Sequence, residues 1–199
     1  MICSAFQFQL RPTTSCKISN LSYQKYCLTM RMTDGHTFGA ITSFPLQKHT
    51  NHSQDVLKLN QFKDKQSTRN MIRRRGMHLD DYQCVLCQQS TEETVMHLLF
   101  CCPFAKNCWN LVNFHFGDRL SIQQIFQAWK SMLQIEFSLD IFIIFCWGIW
   151  MMRNDVIFRN KKPSVEDCKS CITVEALLLL HRCKARLIPL LESWINSNL

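Results

Sequence analysis

From about residue 55 the texture changes, and over 55–199, the helical domain expected, apolar residues come to recur every three or four positions, the spacing of one face of a helix. In "LSIQQIFQAWKSML", Ile122, Ile125, Phe126, Trp129 and Leu133 fall in register. In "PFAKNCWNLVNFHF", Phe104, Cys108, Leu111 and Val112 form a stripe. Pro103 suits the first position of that helix, with Cys102 at its cap. "STRNMIRRRGMHLDD" predicts a short helix that Ser67 or Thr68 caps and Gly76 stops in the left-handed conformation. Arg73, Arg74 and Arg75 fill its last turn, where positive charge suits the helix dipole. Ser90 and Glu93 have the spacing of a capping box, which predicts a helix over about 91–100 with Glu93 and His97 on one face.

"IFIIFCWGIWMM" (141–152) is apolar on all sides between Asp140 and Arg153. A membrane span needs about 20 such residues, so this run predicts a central core helix. Ser164 and Asp167 set a variant cap for a long helix whose stripe runs Val165, Cys168, Ile172, Ala176, Leu179, Cys183, Leu187, Leu190, Trp194. Pro189 should kink that helix or end its regular part. Residues 1–54 lack sustained periodicity and predict a poorly ordered segment; its Cys3, Cys16 and Cys27 have no partners at useful spacing. The fold class expected is mainly α: an irregular tail, a zinc core over 67–116 and a helical extension over 120–199.

Charge and cysteine content sharpen this picture. A net charge of +8 favours acidic partners, above all RNA or DNA. Residues 61–78 hold six Lys/Arg (Lys63, Lys65, Arg69, Arg73, Arg74, Arg75) and one Asp, and Phe62, Tyr82 and Trp109 are candidates to stack on bases. The alternative is that the arginines complement a helix end and solvate a surface. No secretory signal opens the chain, so a nuclear or cytoplasmic setting is expected and the 12 cysteines should stay reduced. The stretch before Asp34 is basic and Ser/Thr-rich like a transit peptide, without an amphipathic Arg face.

Reduced cysteines point to metal. "CVLCQQSTEETVMHLLFCC" (84–102) offers Cys84 and Cys87, whose two-residue spacer turns both sulfurs inward, then His97 and Cys102: C-x2-C-x9-H-x4-C. Cys101 competes with Cys102, which is preferred because the chain must turn at Pro103. Four protein ligands leave no open position, so one structural zinc is expected. Cys168, Cys171, His181 and Cys183 repeat the spacing. On a continuous helix, however, Cys171 and His181 stand about 15 Å apart along the axis, too far for one ion.

"STRNMIRRRGMHLDDYQCVLCQQSTEETVMHLLFCCPFAKNCWNLV" resembles the zinc-binding domain that follows the reverse transcriptase in plant non-LTR (LINE-type) retrotransposons. The resemblance rests on Thr68, Arg69, Arg75, Gly76, Cys84, Cys87, Glu92, Glu93, Thr94, His97, Leu98, Cys102, Pro103 and Trp109. It also selects Cys102 over Cys101. "CWGIWMMRNDVIF" (146–158) is similar to the later "W-x-I-W-x-x-R-N-x-x-x-F" segment of those elements. The likeness covers about 60–160 and the long helix after it. Residues 40–62 lack the family's Trp-rich stretch, and the chain reads as a fragment of an element, without polymerase or RNase H.

The expected role is a non-catalytic zinc module derived from a retrotransposon, with the basic segment 61–78 a candidate for salt-sensitive RNA or DNA binding. No G-x-S-x-G, P-loop or dinucleotide fingerprint is present, and His36, His49, His52, His78 and His115 lie near no recognisable nucleophile. Asp80–Asp81 lack the strand context of a polymerase metal pair. The alternative role is a scaffold whose Trp-rich helices (141–196) self-associate or pack on a polymerase, away from any membrane.

Overall fold

The computed structural model describes residues 52–87 and 89–199, within one compact unit, Leu46–Leu199. Its helices follow in chain order: α1 (His52–Lys65), α2 (Arg69–Arg74), α3 (Pro103–Asn110), α4 (Ile122–Leu133), α5 (Ser138–Arg159), α6 (Val165–Leu180) and α7 (Ile188–Asn198). A widened turn over His97–Cys101 precedes α3, and a short 3-10 turn over Ala185–Leu187 precedes α7. Among the described residues, the β-pairing is confined to one antiparallel bridge, Gln83 to Glu92. The domain is mainly helical, as its periodicity predicts. The expected irregular segment 1–54, with its three cysteines, lies outside the described residues except for 52–54, which already belong to α1.

The helix α5 forms the centre, because a run apolar on all sides can be satisfied only by neighbours on all sides. It packs against α6, α4, α3, α1 and the widened turn. At 22 residues it is long and apolar enough to cross a membrane by length and composition, yet more than half of it is buried inside the protein. Gly148 lets α6 approach closely: a Cβ there would stand 2.5 Å from Ile172 Cγ1. Around α5 lies an aromatic cluster. Trp109 stacks on Phe145 at 5.0 Å and meets Trp129 edge-on at 5.7 Å. Each indole N–H finds a carbonyl, Trp109 Nε1 donating to Leu99 O (2.8 Å) and Trp129 Nε1 to Ser138 O (2.7 Å). Buried indoles need such partners.

Local signals explain most boundaries. Thr68 caps α2 by accepting from Met71 N, and Gly76 follows at φ +77°, where only glycine is at ease. Ser121 and Gln124 form a reciprocal capping box at α4. Ser164 Oγ accepts from Asp167 N at α6.

The last helix departs from expectation. It breaks after Leu180, where Arg182 N and Cys183 N both donate back to Leu179 O. Pro189 lies in the first turn of α7 and opens that helix instead of ending one. A proline in a first turn lacks only an amide that would have no partner there. The break also shifts the buried face by one residue. Leu187, Leu191 and Ile195 are buried, while Leu190 is 57% exposed and Trp194 half-buried.

Candidate metal centre

Between Met77 and Thr91 only Cys84 and Leu86 are buried among the described residues, and backbone pairing shapes the segment instead. Cys84 N donates to Thr91 O (2.9 Å), and Glu93 N donates to Tyr82 O (2.9 Å). These bonds flank the Gln83–Glu92 bridge and close a loop carrying Cys84 and Cys87. The expected capping box at Ser90 and Glu93 does not form. Ser90 sits at φ 24° inside the loop, and Glu93 is buried beneath α2. The residue that caps is Thr94, whose Oγ1 accepts from His97 N (3.1 Å). The helix is therefore shorter than 91–100 and begins at His97's own turn.

That turn is wide. Cys102 N donates to His97 O at 2.7 Å, a bond across five residues instead of four. It stacks residue 102 over residue 97, and such insertions often mark functional sites. Cys102 then leaves in extended geometry (φ −62°, ψ 133°) and caps α3 ahead of Pro103.

The donor atoms of Cys84, Cys87, His97 and Cys102 all lie within 4.8 Å of one another. Cys84 Sγ is 3.9 Å from Cys102 Sγ, and Cys87 Sγ is 3.4 Å from His97 Nε2. A tetrahedral zinc with Zn–S near 2.3 Å and Zn–N near 2.0–2.1 Å requires S···S edges of about 3.8 Å and S···N edges of about 3.6 Å. Both measured edges sit close to those values, so three sulfurs and one imidazole fit one zinc. Cys84, His97 and Cys102 are buried and Cys87 is half-buried. Such an ion would be shielded by protein on most sides.

The electrostatics distinguish the sulfurs. Cys102 is held below its ordinary value by the Cys84 thiol and by the amides of Phe104 and Ala105 at the start of α3. Cys84, donating to that sulfur and buried, is pushed up to about 12. Burial raises Cys87 as well. The metal-free site thus holds protons that a metal must displace.

Residues 45–109 match the family model described as zinc-binding in reverse transcriptase. Over these residues the chain is similar to the zinc-binding domain of reverse transcriptases. The match starts ahead of the 60–160 stretch that carries the resemblance and ends at Trp109, so α4–α7 lie beyond it. No curated protein and no solved structure matches the chain.

Within the matched segment, Cys101 points elsewhere, its Sγ 3.9 Å from Asp118 O. The second cysteine set does not assemble either. Among the described residues, the four donors around Cys84 are the one group placed to hold a metal. Cys168 instead faces Cys108, and Cys171 is pushed up to about 12, mainly by burial.

Two arginines of the basic segment are paired within the fold. Arg69 pairs with Asp81 (3.0 Å), and Arg73 pairs with Glu92 (2.6 Å) and covers the Tyr82 ring. Arg74 and Arg75 are exposed and meet no acid among the described residues; the side chains of Lys63 and Lys65 lie outside them. Phe62 and Trp109 are buried and cannot stack on bases; Trp109 lies inside the aromatic cluster. Tyr82 is half-buried under Arg73 and ties its hydroxyl to Met77 O and Leu79 N.

Sequence reasoning assigned Glu93 to a cap and read Arg153 as the polar end of an apolar run. They pair across 60 residues. Arg153 Nη2 lies 2.8 Å from Glu93 Oε1, and both side chains are buried. No local spacing encodes such a contact. The signals available were an arginine placed directly after twelve apolar residues, where burial demands a carboxylate, and the presence of both Glu93 and Arg153 in the segments that carry the family resemblance.

Proposed function

We propose that this protein is a non-catalytic module, derived from a LINE-type retroelement, in which one structural zinc fixes the junction between α2 and α3. The observation that carries it is the closed set of Cys84, Cys87, His97 and Cys102 at tetrahedral spacing. With four protein donors the ion has no position for substrate or water, so its role is to hold the chain together. Metal analysis of the purified full-length chain tests this. One zinc per chain is expected, falling toward zero in Cys84→Ser and His97→Ala. A wild-type chain without stoichiometric zinc overturns the proposal.

A second reading is nucleic-acid contact at the edge of the domain. Its support is the run Arg73–Asp81, exposed throughout, where Arg74, Arg75 and His78 accompany Met77 and Leu79. Of the four arginines in the segment, Arg69 and Arg73 pair with acids, which leaves Arg74 and Arg75 for such a contact. Binding of labelled single-stranded RNA should weaken several-fold between low and moderate salt. It should weaken again in Arg74→Ala/Arg75→Ala, and indifference to both changes removes this reading. The scaffold alternative has less support: Trp147 and Trp150 are half-buried, and Arg153 lies 4.9 Å from the Trp150 ring centre.

A further inference from the structure

The zinc reading accounts for four side chains but leaves a buried carboxylate beside them unexplained. Glu93 is fully buried, four residues before His97, and touches no metal donor. Its contacts reach three parts of the protein. Its carboxylate accepts from Arg69 N at the start of α2 (3.0 Å) and from Arg153 Nη2 and Nε on α5 (2.8 and 3.2 Å). Its backbone N–H donates to Tyr82 O, two residues before Cys84, and its carbonyl accepts from Asn70 N (3.2 Å). The next residue, Thr94, caps the turn that carries His97. Glu93 thus stands at the hinge between the half of the site bearing Cys84 and Cys87 and the half bearing His97 and Cys102.

We propose that Glu93 and Arg153 are positioning residues of the metal centre, which couple zinc affinity to the seating of α5. The inference rests on the zinc reading above. A buried carboxylate stripped of its cation is strongly unfavourable, so a chain without Arg153 expels Glu93 toward water. Moving Glu93 pulls on Tyr82 and Thr94 together and spreads the donors. Residues behind metal ligands commonly change affinity by about 10- to 100-fold when removed. Because coupling free energy is reciprocal, zinc in turn favours the seated α5.

The test uses the full-length chain. Zinc affinity is measured by competition with a chromophoric chelator for wild type, Glu93→Gln, Arg153→Met, the double variant and Arg186→Ala. Arg186 is the control, an exposed partner of Glu136. Hydrogen exchange of α5 in wild type is recorded with and without zinc. Expected are a loss of about tenfold or more in each single variant, no further loss in the double variant, and an unchanged control. Cobalt substituted for zinc should show an altered visible spectrum in Glu93→Gln. Amides around Arg153 should exchange faster when zinc is removed. Wild-type zinc affinity in both folded variants overturns the inference while leaving the zinc reading intact. Should the variants fail to fold, exchange in the wild type decides: α5 protection indifferent to zinc overturns it. A wild type that binds no zinc overturns both.

Discussion

Two regions of this domain are held together by different physics. Around α5, order comes from apolar area and shape. Trp109, Trp129, Phe142 and Phe145 interleave in a space closed to water, and their polar atoms are few and paired. Between Met77 and Thr91 the chain has almost no such resource. Cys84 and Leu86 are buried there, while the run from Arg73 to Asp81 faces solvent. What fixes that region is a bridge, a buried carboxylate and a set of donors converging on one point. A core of rings loses stability in proportion to what is removed, whereas a coordinated loop loses most of its order with the first donor.

That contrast can be broken at either end. The largest effect is expected from removing the metal with a chelator, or from Cys84→Ser. Structural zinc contributes about 10–16 kcal/mol in small metal-folded units, and residues 84–112 and the amides around Arg153 should lose protection in hydrogen exchange while α4, α6 and the rest of α5 keep theirs. Acidification should approach the same result. Zinc takes thiolates, and Cys84 and Cys87 both hold their protons at neutral pH in the metal-free chain. Binding therefore expels at least two protons, and zinc affinity should rise by roughly two to three decades per pH unit near neutrality. A slope near zero in chelator competition would contradict the thiol assignment.

In the aromatic region, Trp109→Ala should cost about 3–5 kcal/mol by denaturant unfolding. Zinc content should remain at one, which separates the two regions. Smaller still is Gly148→Ala, where the new methyl meets Ile172 and overpacking costs about 1–3 kcal/mol. Its effect should appear in thermal unfolding and leave zinc affinity nearly unchanged. A large affinity loss there would show that the α5–α6 contact reports directly to the metal centre.

The parts legible in sequence are those written locally. Caps at Thr68 and Ser164, the stop at Gly76 and the start at Pro103 depend on residues within a few positions. The donor set was legible for a related reason: its members lie in one short segment, and their spacing limits the chemistry. Three features could not be read. Ser90 and Glu93 have cap spacing, but the cation of Arg153, 60 residues on, draws Glu93 inside. The turn over His97–Cys101 widens because His97 and Cys102 must meet, and no propensity encodes that insertion. The break at residues 181–184 involves neither Gly nor Pro, and after it the helical phase restarts, so a stripe carried through it selects Leu190 where Leu191 is buried. Trp109 and Phe62 show the converse error. Aromatic residues near basic ones suggested a ligand platform, and the interior had already claimed both rings.

The length of α5 carries a consequence for the life of the chain. Ser138–Arg159 can be shielded only when the segments on both sides of it in the sequence close around it. Until α6 has left the ribosome, a 22-residue greasy rod waits half-wrapped, fit to attract chaperones or a lipid surface. Shielding of the nascent α5 therefore depends on how soon α6 arrives.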